Sequence, residues 1–139
     1  MKYQFELIIG NIAQIKTLYD LLLNRRHSIS HFKMPSFKEH QRFVLNNPYM
    51  AWYFIKSESK YIGTFYLKSD NSIGLNLIYA NEKLVTECLN FIKTNFTPQT
   101  AEPSVIADYF YVNVSTSNKE LLKILKTLNL RSIQTSFKL

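Results

Sequence analysis

Apolar and polar residues follow two different periods in the first third of the chain. Residues 3–9 alternate, which predicts a β-strand with one buried side. Apolar residues recur at intervals of three and four over residues 12–25, which predicts an amphipathic helix. A second helix is predicted to begin at Ser36, because Ser36 and Glu39 have the spacing of a capping box, and to end near the turn at Asn47-Pro48.

Three β-rich segments with short polar turns between them follow. They cover residues 50–56, 60–67 and 72–78. Because the turns are so short, the segments are predicted to form an antiparallel meander. Alternation along the first segment puts Trp52 and Phe54 on one face of the sheet, and Tyr53 and Ile55 on the other.

The last part of the chain alternates between helices and strands. Asn81 is the natural N-cap of a helix with clear apolar periodicity, and residues 109–114 form the next strand. Ser117 and Glu120 have capping-box spacing at the start of a last helix, and residues 131–139 are predicted to close the chain as a strand. The strands on either side of the third helix should be parallel, because a strand–helix–strand crossover joins them.

The order of elements is therefore β-α-α-β-β-β-α-β-α-β. We expect an α/β fold with a mixed sheet, built from an antiparallel meander plus a parallel strand pair, and with helices on both faces. The length and the hydrophobic content of 46% fit one domain spanning residues 1–139.

Composition limits the cellular setting. No apolar run approaches the roughly 18 residues that a membrane span needs, and residues 1–4 lack the apolar character of a signal peptide. Cys88 is the single cysteine, so an internal disulfide is excluded. We therefore expect a cytoplasmic protein without a membrane partner.

The net charge of +7 is compatible with nucleic acid, an anionic surface or an anionic small molecule. The basic residues are scattered along the chain, and the densest groups are Arg25-Arg26 and the helical face with Lys119, Lys123 and Lys126. The basic and aromatic interleaving of single-strand binders is missing, so nucleic acid is not an expected partner.

Three histidines and one carboxylate are the candidates for acid–base chemistry. His27 and His31 are four residues apart, but the pattern between them is not helical and no Cys or carboxylate lies near in sequence, so no metal site is predicted. His31, His40 and Glu39 are candidate catalytic residues, and His31 is also a candidate for the border of a substrate site. Histidines that serve only in packing are the alternative.

Aromatic and amide side chains supply further substrate-binding candidates. Tyr49 and Trp52 belong to an aromatic set for which core packing is the competing interpretation. Asn76 lies in a strand that should be buried, and a buried amide needs partners. Tyr79 lies at the carboxyl end of the same strand, where ligands enter open α/β sheets.

Several short motifs occur in a characteristic order. They are Ile62-Gly63, Asp70 to Gly74, Val112-Asn113-Val114 with Asn118, and, in the N-terminal half, Ile29-Ser30-His31, Met34-Pro35-Ser36 and Asn47-Pro48-Tyr49. Together they resemble the GCN5-related N-acetyltransferase (GNAT) superfamily. The N-terminal half is similar to members that acetylate the amino group of sugar nucleotides.

This resemblance implies acetyl-CoA as cosubstrate and direct acyl transfer to a primary amine of a small molecule, with an amino sugar nucleotide as a candidate acceptor. It implies that a backbone N–H faces the thioester oxygen and that a helix N-terminus meets the pyrophosphate. The implied cofactor-binding residues are Leu75, Leu77, Ile78, Tyr79, Asn81, Glu82, Lys83, Leu84 and Asn118.

The joint between the third meander strand and its helix departs from the family pattern. The family has a glycine-rich pyrophosphate loop there, whereas this chain has Tyr79-Ala80-Asn81 followed by Glu82, whose charge repels phosphate. The tyrosine often found in the last helix is also missing. These departures leave a second hypothesis open, a non-catalytic GNAT-fold module that binds a ligand or a partner. A homodimer is compatible with either.

Overall fold

The computed structural model describes residues 2–25 and 33–139. Its elements are β1 Gln4–Leu7, α1 Ile12–Leu23, α2 Phe37–Leu45, β2 Ala51–Ser57, β3 Lys60–Leu67, β4 Ser72–Leu77, α3 Glu82–Asn95, β5 Tyr111–Asn113 and α4 Lys119–Thr127. The five strands form one sheet in the order β1-β2-β3-β4-β5. The pairs are antiparallel except β4 with β5, which is parallel, so the expected mixed sheet is confirmed.

Helices cover both faces of this sheet, and each face has its own apolar core. On one face, Trp52 and Phe54 of β2 pack with Ile15 and Leu18 of α1 and with Val44 of α2. On the other face, residues of β2 to β4 pack with α3 and α4. The fully buried members of this second core include Ile55, Phe65, Leu84, Val85, Cys88, Ile92 and Leu121. The predicted alternation along β2 is thus confirmed.

Side-chain caps fix where the helices begin. The hydroxyl of Ser36 accepts from the N–H of Glu39, and the Glu39 carboxylate accepts from the N–H of Ser36, each at 3.1 Å. This is the predicted capping box of α2. The side chain of Asn81 accepts from the N–H of Leu84 at 2.8 Å, which confirms the N-cap of α3.

One buried amide connects the start of β4 with the segment that leads to β5. Asn71 is 1% exposed and has φ +71°. Its Oδ1 accepts from the N–H of Gln99 at 2.6 Å, and its Nδ2 donates to the carbonyl of Ala107 at 2.6 Å. Its own carbonyl accepts from the N–H of Tyr111. Asn71 therefore brings the irregular segment 97–108 and the first residue of β5 alongside β4.

Pairing between β4 and β5 is short. It joins Ser72 to Tyr111, and it ends at Gly74 and Asn113. β4 continues to Leu77 and remains paired with β3 along this stretch, up to the pair Gly63–Leu77. Beyond Gly74, the edge of β4 that faces β5 therefore has no strand partner among the described residues.

Two local predictions are wrong. The N-cap of α4 is Asn118, whose Oδ1 accepts from the N–H of Leu121 at 3.2 Å, and not Ser117. The carboxylate of Glu120 is not part of a capping box, because it accepts a hydrogen bond from Ala80 instead. The side chain of Ser117 contacts that of Ser115.

The predicted strand at residues 131–139 does not form. These residues are exposed and have no assigned secondary structure. Their alternation is strand-like, but a strand needs a neighbouring backbone for its N–H and carbonyl groups. No such neighbour lies beside this segment among the described residues.

No helix in the described part of the chain is long and apolar enough to cross a membrane.

Gly74 makes room for an aromatic ring on the α1–α2 face. Gly74 is paired with Tyr66 of β3, and a methyl group built on Gly74 would overlap the Tyr66 ring. The ring therefore lies across the backbone of β4. There it stacks on Tyr49, with 4.1 Å between ring centroids and 10° between ring planes.

We expect Gly74→Ala to lower the free energy of unfolding by about 1–3 kcal/mol, because the added methyl must push the Tyr66 ring out of its stack. Urea denaturation measures this loss. The matched background is Tyr66→Ala, where the ring is gone and the same Gly74→Ala change should cost much less. Equal losses in the two backgrounds would contradict the role assigned to Gly74.

Candidate functional site

A cavity of about 460 Å³ lies between α1, α2 and the sheet face formed by β2, β3 and β4. Its aromatic and apolar lining includes Leu18, Phe43, Tyr49, Trp52, Tyr66, Leu77 and Ile78. Its polar and charged lining includes Arg25, Lys33, Glu39, His40, Thr64, Lys68 and Asn76. The volume is within the usual range for a small-molecule site.

Stacked aromatic rings form one wall of this cavity. Tyr49 stacks on Tyr66 and meets Trp52 edge to face, with 4.9 Å between the centroids of Tyr49 and Trp52. Burial raises the pKa of Tyr49 to about 12, so its hydroxyl stays protonated at neutral pH. The buried indole N–H of Trp52 has no hydrogen-bond acceptor among the described residues. Both predicted aromatic residues, Tyr49 and Trp52, therefore lie at one site.

The sheet supplies a polar floor to the cavity. Asn76 of β4 is paired with Thr64 of β3, and both line the cavity. Asn76 is half-buried, while its neighbour Leu75 is buried in the core on the opposite face. The polar residue predicted to line a pocket therefore points away from the core, next to the end of β4 at Leu77.

His40 is held by packing between α1 and α2. It is 6% exposed, and its Nε2 donates to the carbonyl of Ile15 at 3.2 Å. Because a carbonyl oxygen only accepts, Nε2 carries a hydrogen in this arrangement. Burial lowers the pKa of His40. Its role in joining two helices is therefore evident, whereas a catalytic role stays a prediction.

Glu39 also lines the cavity, but its carboxylate is occupied by the capping box of α2. Hydrogen bonds from Ser36 lower the pKa of Glu39, so the carboxylate remains ionised. A carboxylate with a lowered pKa is a weak base toward an ammonium group. His27 and His31, the other histidines, lie outside the described residues, and no cluster of three metal-ligating side chains occurs among those described.

At the joint between β4 and α3, some backbone N–H groups already have a hydrogen-bond acceptor and others have none among the described residues. The N–H of Leu84 donates to the side chain of Asn81 and so is not available to a ligand. The N–H groups of Glu82 and Lys83 have no acceptor among the described residues. The N–H of Ala80 donates to the carboxylate of Glu120 in α4, at 3.0 Å.

The remaining predicted cofactor residues have identifiable positions. Tyr79 is 43% exposed, and its phenol lies near Tyr3, Ser57 and Glu58, away from β5. It therefore does not fill the opening beyond Gly74. Asn118 uses its side-chain oxygen as the N-cap of α4. A direct role of Tyr79 or Asn118 in cofactor binding stays a prediction.

Sequence reasoning missed four residues that matter to this site. Arg25 lines the cavity from just beyond the end of α1, Lys68 lines it from the β3–β4 turn, and Tyr66 completes the aromatic wall. Glu120 reaches the β4–α3 joint from α4. The pairing of Tyr66 with Gly74 could have been found from the short turn between β3 and β4. The contact of Glu120 spans 40 residues and has no local signal.

Comparison with known proteins gives a match in structure and none in sequence. No protein-family model matches the chain, and no curated protein matches it significantly. A domain from Methanocaldococcus jannaschii superposes with a TM-score of 0.67 and 11% identity, covering 97% of this chain and 92% of that one.

Two acetyltransferases are also similar in structure. The N-acetyltransferase PseH of Campylobacter jejuni gives a TM-score of 0.62 at 14% identity, covering 96% of this chain and 91% of that one. The aminoglycoside acetyltransferase AAC(6')-Ib, in complex with coenzyme A, gives 0.60 at 15% identity, covering 90% and 82%. This chain has the GNAT fold. The resemblance inferred from the sequence motifs is confirmed at this level.

We expect His40 to make stability depend on pH. Its pKa is lowered in the folded state, so the unfolded chain takes up a proton first, near the ordinary pKa of about 6.5. Stability should be complete above that pH and fall as the pH drops toward the folded pKa. Thermal melts between pH 7.5 and 5.5 measure the loss.

The matched variant is His40→Gln, whose amide can still donate to Ile15 but does not titrate. Its melting temperature should fall less between these two pH values than that of the unmodified protein, because carboxylates contribute equally to both. Parallel curves for the two proteins would show that His40 is not the titrating group.

Proposed function

We propose that this protein is an acyl-CoA-dependent N-acyltransferase, which transfers an acetyl group directly from acetyl-CoA to a primary amine bound in the cavity. One observation carries the proposal. The cavity reaches β4 at Leu77 and Ile78, where the strand has lost its β5 partner. An acceptor in the cavity and a thioester along the open edge of β4 would meet at this point.

The open edge presents a suitable hydrogen-bond donor. The N–H of Ile78 donates to the carbonyl of Ile62 in β3, at 2.9 Å. Because successive N–H groups along a strand point to opposite edges, the N–H of Leu77 points toward the β5 side. It lies three residues beyond the last β4–β5 pair, at Gly74. We assign the N–H of Leu77 to the thioester oxygen, where negative charge develops during attack.

The N-terminus of α3 supports a second contact with the cosubstrate. The N–H groups of Glu82 and Lys83 are open, and the helix dipole favours an anion at this end. These groups would meet the pyrophosphate of CoA. The carboxylate of Glu82 opposes that contact, and the ammonium group of Lys83 offsets part of the repulsion. The backbone therefore supplies a phosphate contact even without a glycine-rich loop.

The proposed acyl transfer requires no side chain that acts as a dedicated general base. The amine nitrogen bonds to the acetyl carbon, the carbon–sulfur bond breaks, and CoA leaves as a thiolate. The nitrogen loses two protons to water, one from the ammonium group before the attack and one after the attack, because His40 and Glu39 are engaged in structural hydrogen bonds. The thiolate takes up a proton from water, since α4 contains no tyrosine.

The acceptor is a small-molecule amine. The similarity of the N-terminal half to sugar-nucleotide acetyltransferases makes an amino sugar nucleotide the candidate we propose first. A cytoplasmic location and a homodimer remain predictions from the sequence.

A second candidate is a non-catalytic module with the same fold. The contact between Glu120 and Ala80 favours it, because a carboxylate already occupies an N–H next to the expected pyrophosphate site.

Binding and turnover together test the proposal. Acetyl-CoA at about 100 times its dissociation constant should stabilise the protein by about 2.7 kcal/mol, which is several degrees in a thermal melt. Release of free CoA thiol should then depend on an added primary amine. Stabilisation without amine-dependent thiol release would identify the binding module. If acetyl-CoA produces neither stabilisation nor amine-dependent thiol release, both functions are contradicted at this site.

We expect Glu120→Gln to tighten the binding of acetyl-CoA by roughly two- to fivefold, the scale of an exposed charge interaction. The change removes the anion bonded to Ala80 and keeps the size of the side chain. The control is Glu102→Gln, which changes the net charge equally but lies in the 97–108 segment. Titration calorimetry compares the two variants, and equal effects would exclude a local role for Glu120.

A further inference from the structure

The charged residues around the cavity are unequal in sign. Arg25, Lys33 and Lys68 are positive, whereas Glu39 is the one carboxylate among the described lining residues. The Glu39 carboxylate already accepts from the N–H of Ser36. Residues 26–32, which follow Arg25 in the chain, contain no Asp or Glu.

Arg25 and Lys68, two of the positive groups, lie at the Tyr66 end of the cavity. Arg25 is half-buried near Tyr49 and Tyr66, and desolvation lowers the pKa of its guanidinium group. Lys68 lies in the turn just after β3, beyond Tyr66. A cation that has lost part of its water is stabilised by a nearby anion. This end is therefore suited to an acidic group.

The proposed place of acyl transfer, beside Asn76 and Leu77, lies at the other end of the same strands. Asn76 is paired with Thr64, and Thr64 precedes Lys68 by four residues along β3. At a rise of about 3.3 Å per residue, the backbones at these two ends are roughly 13 Å apart. The ring of Tyr66 lies between them, over the backbone of Gly74 and stacked on Tyr49, and this stacked pair lines the middle of the cavity.

We propose that the acceptor amine belongs to a molecule that also carries a phosphate or a carboxylate. Its amine lies beside Asn76 and Leu77, its middle part contacts the Tyr49–Tyr66 stack, and its acidic group lies between Arg25 and Lys68. This inference rests on the proposed acyl transfer and assigns the residues that recognise the acidic part of the acceptor, of which an amino sugar nucleotide is one example. It disfavours polyamines, which carry only positive charges and would be repelled by the same residues.

Two matched pairs of probes test the inference. Glucosamine 6-phosphate and glucosamine share one amine and differ in a phosphate, while β-alanine and β-alaninamide share one amine and differ in a carboxylate. Thiol release from acetyl-CoA gives kcat/KM for each probe, and spermidine serves as the polycation. The acidic member of at least one pair should be better by about tenfold, the size of one charge-assisted contact.

The variant Lys68→Gln should remove most of this preference. Its control is Lys93→Gln on α3, which lowers the net charge equally but lies on the opposite face of the sheet. A preference in the first pair identifies a phosphate, and one in the second pair a carboxylate. Equal values within both pairs, an unchanged preference in Lys68→Gln, or a preference for spermidine would overturn the inference.

Thermal melts with the same probes in the absence of acetyl-CoA separate this inference from the acyl-transfer proposal. Stabilisation by the acidic member of a pair alone, lost in Lys68→Gln, would support the acidic-ligand site even if no thiol release occurs. Thiol release without any difference within the pairs would support acyl transfer and reject the acidic acceptor.

Discussion

The side chain of Asn71 holds the parallel pair of β4 and β5 at one end, and the candidate site depends on this restraint. β5 is three residues long, and the segment 97–108 before it has little regular structure. Backbone pairing alone would fix such a strand poorly. The buried amide of Asn71 bonds to Gln99 and Ala107 and so supplies the hydrogen bonds that a longer strand would have made. Because the described residues provide no equivalent restraint beyond Gly74, the edge of β4 is left open there.

The two faces of β4 explain why a cavity lies on one side of the sheet and a core on the other. Ile73 and Leu75 face α3 and α4 and are buried among apolar residues. Gly74 and Asn76 alternate with them and face α1 and α2. A glycine and a half-buried amide fill less space than two aliphatic side chains. The Tyr66 ring takes up the space beside Gly74, and the space beside Asn76 is part of the cavity lined by Tyr49 and Tyr66.

Residues with short-range partners were predictable from the sequence. The capping box of Ser36 and Glu39, the N-cap Asn81 and the alternation along β2 each depend on neighbours a few residues away. The order of strands and helices from β1 to α4 followed from these periods, and with it the fold class. Asn76, Tyr49 and Trp52, each named from the sequence as a substrate-binding candidate, line one cavity, and their role in binding stays a prediction.

The predictions that failed depended on distant partners. The segment 131–139 has the alternation of a strand, but no backbone lies beside it among the described residues, so the pattern alone does not form one. Ser117 and Glu120 have the spacing of a capping box, but Asn118 is a better N-cap and Glu120 finds the N–H of Ala80. Contacts of this kind are decided by how α4 packs beside α3, which local spacing does not report.

The glycine-free joint after β4 shows what a sequence motif can and cannot exclude. A glycine-rich loop lets the backbone approach a phosphate closely, and Tyr79-Ala80-Asn81 gives up that freedom. The positive end of the helix dipole and the first open N–H groups belong to the backbone, so they remain at Glu82 and Lys83. What has changed is the local charge, because Glu82 and Glu120 bring two carboxylates to a place that favours an anion. The loss of the glycine-rich motif therefore argues that phosphate binds more weakly at this joint, because of the carboxylates of Glu82 and Glu120. It does not argue that the fold can no longer bind phosphate.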